Sequence, residues 1–248
     1  MASTTETGHA KNVANFETLL SSVTAFGETY NPSKESLKPI ALQALLAASK
    51  TSLNGVNIAE SAYSNAVAAR ESSFKLLSPL VTRVNNALKS TDTTVQVDES
   101  AKTIVRKIQG ARASAKISNE EKKAMEAEGK EVNQISTSQM SYDSRLENLD
   151  KFIMLLSSIE LYNPNEEELK ITSLTTLYSD LKAKNTDVVT ATIQLSNARI
   201  SRNDILYKPL TGLVDIAFDS KIYIKSIFGA SSPQFKQVSK LNFITPKK

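Results

Sequence analysis

The sequence predicts an all-α fold, an elongated bundle of long helices built from two duplicated helical units. Three observations carry that expectation. Tyr30-Asn31-Pro32 returns as Tyr162-Asn163-Pro164, and at the same offset of 132 residues Leu42, Lys50, Asn65 and Arg70 meet Leu174, Lys182, Asn197 and Arg202. Shared apolar spacing accounts for matched leucines but not for matched Asn, Arg, Lys and Tyr-Asn-Pro, so the matches mark a repeated unit. Seven glycines and seven prolines in 248 residues leave few chain-breaking positions, so the elements between them must be long. Apolar residues recur at 3-4 spacing along most of the chain, the period of a helix with one buried face.

Taken in order, residues 1–11 read as a polar tail. Val13, Phe16, Leu19, Leu20 and Val23 form a helical face that Gly27 closes. Phe16 and Leu19-Leu20-Ser21-Ser22 match Phe152 and Leu155-Leu156-Ser157-Ser158, an offset of 136. Asn31-Pro32 and Asn163-Pro164 are expected to open long helices, Asn capping free amides and Pro standing at the first helical position. Glu166, Glu167 and Glu168 then fall in a first turn, where the helix dipole favours carboxylates. The stripe from Leu37 through Leu45, Val56, Tyr63 and Phe74 crosses Asn54-Gly55 as one helix, because the equivalent Thr186-Asp187 has no turn character.

Pro79 and Pro209 should kink or end their helices, since each removes an amide and crowds the preceding turn. A one-residue slip after Arg70 aligns Leu80-Val81 with Leu213-Val214 beyond them. Thr91 to Val97, rich in Thr and Asp, reads as a loop. Ser118 and Glu121 form a capping box. Behind it a helix is expected over Glu120–Ser158, with a seam at Met125, Val132, Ile135, Tyr142, Leu146, Leu149, Ile153 and Leu156. The chain therefore divides into a polar tail (1–11), a first helical repeat (12–96), a basic connector (97–118), a long helix with the second repeat (119–229) and a C-terminal tail (230–248).

The inventory for chemistry is thin. Zero cysteines exclude disulfides, thiolate metal sites and a Cys nucleophile. The single histidine, His9, lies in the polar tail, so no Ser-His-Asp triad, HExxH zinc site or His-containing di-iron bundle can form within one chain. The glycines give no dinucleotide or Walker loop. The reading is a protein that is not an enzyme, with no catalytic residue, metal site or cofactor.

A net charge of +4 is mild, but Ala101 to Ile117 carries Lys102, Arg106, Lys107, Arg112 and Lys116 with no acid. Those five are candidate contacts for an anion or nucleic acid, although a solvated connector facing the acidic stretch that follows is the favoured reading. Arg70, Arg199 and Arg202 admit an anion site, with interhelical ion pairs or turn caps preferred. Tyr63, Phe74, Tyr178, Tyr207 and Phe228, at helical spacing, are read as core.

Asn12–Phe16, Tyr30–Ser33, Lys107–Gly110, Ser196–Arg202 and Tyr207–Val214 resemble segments of a family of all-helical Bacteroidota proteins of uncharacterised function. The resemblance covers nearly the whole chain. It implies a helical fold and supplies no activity, cofactor or site residue.

The leading functional reading is a non-enzymatic structural or self-assembling protein, a scaffold or filament subunit whose partner is itself. Phe235, Leu241 and Phe243 in the C-terminal tail are its candidate assembly contacts, anchors for a neighbour's groove. The alternative is a membrane-active helical protein of pore-former design. Ile205 to Phe228 is its only candidate segment, and Lys208, Asp215, Asp219, Lys221 and Lys225 make that a poor span. Third stands a basic nucleic-acid-associated protein. The polar Met1–Ala10 has no apolar core of a secretory leader, so a cytoplasmic location is expected.

Overall fold

The computed structural model describes residues 7–111 and 141–245, and no strand occurs among them. In chain order the helices are α1 (Thr7–Ala25), α2 (Pro39–Lys75), α3 (Leu77–Lys89), α4 (Val95–Gln109), α5 (Tyr142–Ser157), α6 (Ile171–Tyr207), α7 (Leu213–Phe228) and α8 (Pro233–Ser239). Single 3-10 turns at Glu35–Leu37 and Glu167–Leu169 precede α2 and α6.

The Tyr-Asn-Pro segments do not open the long helices, contrary to the capping expectation. Tyr30 and Tyr162 are buried, and their hydroxyls donate to the carbonyls of Leu37 (3.1 Å) and Leu169 (2.7 Å). Each bond ties a ring to backbone seven residues ahead, so the intervening chain folds as an open loop ending in a 3-10 turn. Lys38 and Lys170 leave that turn in extended geometry, each paired to the Glu three residues before it at 2.6 Å. Only then do the helices start, at Pro39 and Ile171. Pro39 takes the first-turn position for which Pro32 was expected. Asn and Pro could be read as a cap because their local preference fits one; a buried tyrosine with a tertiary bond overrides it.

Each long helix is 37 residues, and α2 passes through Asn54-Gly55 unbroken, as the sequence indicates. Beyond them the matched segments part. One residue, Leu76, separates α2 from α3, and Pro79 lies inside the first turn of α3. There its missing amide has no helical partner to lose. After α6 the chain instead makes a wider turn holding Pro209. Leu210 adopts φ 68°, with its amide donating to Asp215 Oδ2 at 2.8 Å. A Cβ on Gly212 would stand 2.7 Å from Lys208 N and 2.8 Å from Lys208 O, so only glycine fits that corner.

Other boundaries shift for local reasons. α1 starts at Thr7, so part of the expected polar tail is helical. Thr94 caps α4 by accepting from the Val97 amide, and Gly110 ends it at φ 67°, which converts most of the described connector into helix. The helix expected over Glu120–Ser158 is not one continuous element. Its described part begins at Tyr142, where Ser141 in extended geometry accepts from the Ser144 amide at 3.1 Å. Ser118, Glu121, Met125, Val132 and Ile135 lie outside the described residues. Of the described seam residues, Leu146, Leu149, Ile153 and Leu156 are buried as expected and Tyr142 is half-buried.

Burial also corrects the register between α1 and α5. Val13, Phe16, Leu19 and Val23 are buried, as are Leu146, Leu149, Phe152 and Leu156. These sets coincide at an offset of 133, not the 136 of the Leu-Leu-Ser-Ser identity. Letter identity followed the sequence; the helical face follows the core.

The chain forms two compact units. One contains the residues up to Ser64 with those from Ala191 onward, the other Asn65–Thr190. Both are therefore mixed in origin, and the linear repeats are not the packing units. In the central unit, Phe74, Leu77 and Val81 pack with Ala101, Leu149 and Phe152. In the terminal unit, Phe16, Leu19 and Leu42 pack with Leu206, Val214 and Ile224.

Leu149 is 0% exposed and Met154, on the same helix, is 63% exposed. Leu149→Ala should therefore lower stability by about 3 kcal/mol through lost burial and a residual cavity. Met154→Ala should change it little, and urea unfolding of the two variants checks the contrast.

Burial, with Glu166 adding, pushes the Tyr162 phenol up to about 12. A phenol whose folded pKa exceeds its unfolded value of about 10 keeps its contribution below that pH. It loses the contribution as pH rises toward the folded value, because the unfolded chain ionises first. Stability should thus fall between about pH 10 and pH 12, and Tyr162→Phe should flatten part of that fall in a pH series of thermal melts.

Candidate functional site

The sequence nominates α4 by its charge. Lys102 is exposed and paired to Glu99 at 3.0 Å, an acid one turn upstream of the acid-free run. Arg106 and Lys107 sit in the last turn of α4, where cations meet the negative end of the helix dipole. Glu147 on α5 is held below the usual carboxylate range, first by its hydrogen bond to Lys151 and in smaller part by Lys107. The described cations of this helix thus have acidic or dipolar partners already. Arg112 and Lys116 lie outside the described residues.

The repeated arginines take local duties. In the central unit, Arg70 on α2 donates to Asn185 Oδ1 on α6 at 3.1 Å, and Asn185 donates onward to Asp143 Oδ1 at 2.7 Å. The Arg70 guanidinium carbon lies 3.9 Å from the centre of the Tyr142 ring, a cation–π contact. Arg199 and Glu60 approach to 3.7 Å in the terminal unit, the interhelical ion pair the sequence indicates. Arg202 is 1% exposed and donates to Asn203 Oδ1.

Sequence reasoning missed Arg145. Its Nε donates to the Ile108 carbonyl and one terminal nitrogen to the Phe74 carbonyl, both at 3.2 Å. One guanidinium thereby serves the C-terminal ends of α4 and α2, whose last carbonyls lack intrahelical partners. Burial lowers its pKa. The signal was present: Arg145 adjoins Leu146 on the buried face of an amphipathic helix, where a fork of donors is placed to reach backbone.

His9 was also misplaced by the sequence. It is 3% exposed, and its Nδ1 lies 2.6 Å from the Tyr207 hydroxyl, to which Asn12 Nδ2 also donates at 3.2 Å. The His9 and Tyr207 rings meet at 5.5 Å; at the offset of 133 the matching pair, Tyr142 and Phe74, meets at 4.8 Å. The two units therefore carry comparable ring contacts with different polarity.

Asn12 does a second job. Its Nδ2 donates to the Ile244 carbonyl at 2.8 Å and its Oδ1 accepts from the Ile244 amide at 3.0 Å, so one side-chain amide grips an extended backbone from both sides. Asn15 donates to the Asn242 carbonyl, and Lys221 to those of Ser239 and Leu241. Of the candidate assembly contacts, Leu241 and Phe243 lie on this strap and Phe235 on α8 just before it. Phe243 is 8% exposed, and Phe235 and Leu241 pack against the same core. They fill the chain's own terminal unit instead of standing free for a neighbour. The reason is the grip on the backbone, which lays the segment over α1 and α7.

Among the described residues no group of three or more His, Cys, Asp or Glu is arranged to hold a metal ion. No described helix is long and apolar enough to cross a membrane, the Ile205 to Phe228 candidate included. Comparison with protein-family models, with curated proteins and with solved structures finds no match to this chain.

Asn12→Ala should release the strap. Expected are faster hydrogen exchange at the Ile244 amide and a stability loss of about 2 kcal/mol, from buried partners left without bonds. Hydrogen exchange with mass readout on peptides covering 240–245 checks it, and unchanged protection there would deny Asn12 this role.

Proposed function

We propose that this chain is a non-enzymatic structural or self-assembling helical protein, a scaffold or filament subunit, built from two copies of one helical unit. Apolar side chains left outside the core carry the reading. Ile193 and Ile200, seven residues apart on one face of α6, are 56% and 57% exposed. On α7, Phe218 and Ile222, four apart, are 44% and 65% exposed. Ala191, Leu195, Ile216 and Ala217 already bury the opposite sides of these helices. Spacings of four and seven are those by which one helix seats in the groove of another. An apolar stripe rimmed by polar residues marks an interaction face. The partner that fits is a second copy of this chain, which offers the same stripes.

The duplication reading rests on matched geometry: a 3-10 turn, a 37-residue helix and a tyrosine-to-leucine carbonyl bond recur at the offset of 132. Repeated units present two similar faces per chain, and a head-to-tail match between them propagates unless its rotation closes a ring.

Light scattering of native full-length protein across concentration should give a mass above that of one chain. Ile193→Lys with Ile200→Lys should return it to one chain with its melting temperature nearly unchanged. A full-length protein that stays at the mass of one chain at high concentration sinks this reading.

A further inference from the structure

We infer that the two halves of the chain, 7–111 and 141–245, are the protomers of an exchanged pair joined in one polypeptide, and that a second copy can supply either half. This rests on the self-assembly reading and adds to its apolar stripes a second, separate interface. Among the described residues, the buried cluster of the central unit takes eight side chains from the first half and nine from the second, and that of the terminal unit takes eight from each. Neither half closes a core from its own residues. The first half gives α1 and the start of α2 to the terminal unit, and the end of α2 with α3 and α4 to the central unit. The second half does the converse: α5 and the start of α6 go to the central unit, the end of α6 with α7 and α8 to the terminal unit.

The contacts that close the units correspond. In the terminal unit the 3-10 turn of the first half packs on α7 of the second; in the central unit the 3-10 turn of the second half packs on α3 of the first. An ion pair accompanies each, Lys34–Asp219 in one and Arg83–Glu168 in the other. Every such contact joins a residue before 112 to a residue after 140, so each can form equally well between two chains. The closed chain and the exchanged pair then bury the same surfaces of the described residues. Linkage favours the closed form, since tethered modules see one another at about millimolar effective concentration. Exchange competes when unfolded chains meet at comparable concentration.

The cysteine-free sequence gives a direct test. Lys34 and Asp219 pair at 2.6 Å, with side chains 49% and 40% exposed, so substitution there leaves the cores intact. Full-length Lys34→Cys and Asp219→Cys chains are mixed, unfolded together, refolded at high concentration and treated with a short bis-maleimide. A covalent dimer is expected, about tenfold above that from the same mixture never unfolded, and falling on refolding at low concentration. The double variant, with both substitutions in one chain, should cross-link within the chain and shows that the reagent spans the pair. A co-refolded mixture giving no more dimer than the native mixture, while the double variant cross-links, overturns the exchange. Native protein that scatters above the mass of one chain without the exchange cross-link keeps the self-assembly reading and removes this interface. The cross-link in a protein whose native form is one chain does the reverse.

Discussion

Each core of this protein is completed by chain from the other end of the sequence, and the rest of the structure depends on that sharing. A helix such as α1 buries one face that its sequential neighbour α2 covers only in part, through Leu42 and Leu46. Its cover in the terminal unit, α7, begins at Leu213, almost two hundred residues away. α5 is covered in the central unit by α4, across the intervening 112–140. Local helix formation is cheap for a chain so poor in glycine and proline. The stabilising burial arrives only when both halves are present, because isolated helices gain little from propensity alone.

The tyrosine loops follow from the same constraint. A long helix that carries residues of both units must start where its first buried residue meets the core, not where a capping residue happens to stand. Tyr30 and Tyr162 set that start by burying a ring and bonding a carbonyl seven residues on. The hydroxyl bond matters because a buried phenol without an acceptor is costly. The two segments keep this device and differ after the long helices, where one has a single-residue break and the other a turn that requires Gly212. The ring contacts likewise differ in polarity, with His9 and Tyr207 where the central unit has Tyr142 and Phe74.

The polar groups that attract attention in the sequence serve mostly to finish helices. Arg145 satisfies the ends of two, Asn12 clasps the strap, and Lys102 answers Glu99. Once these are assigned, what stands out on the described surface is apolar: Ile193, Ile200, Phe218 and Ile222. Nothing in the sequence marks them as a surface, because apolar period alone does not say which face stays uncovered. The tail anchors were the opposite case, read as docking into a neighbour's groove and found packed, Phe243 buried and Phe235 and Leu241 half-buried, on the chain's own unit.

The sequence by itself determined the helical class, the unbroken passage through Asn54-Gly55, the return of Tyr-Asn-Pro and its matched residues at 132, and the buried face of α5 at Leu146, Leu149, Ile153 and Leu156. All four follow from period, propensity and identity, which are local or self-comparing properties. Tertiary structure decided the start of the long helices, the burial of His9, the offset of 133 between α1 and α5, and the composition of the two units. Each of these turns on which distant face covers a given side chain. Several faces of the same period compete for that place, and complementary packing chooses among them.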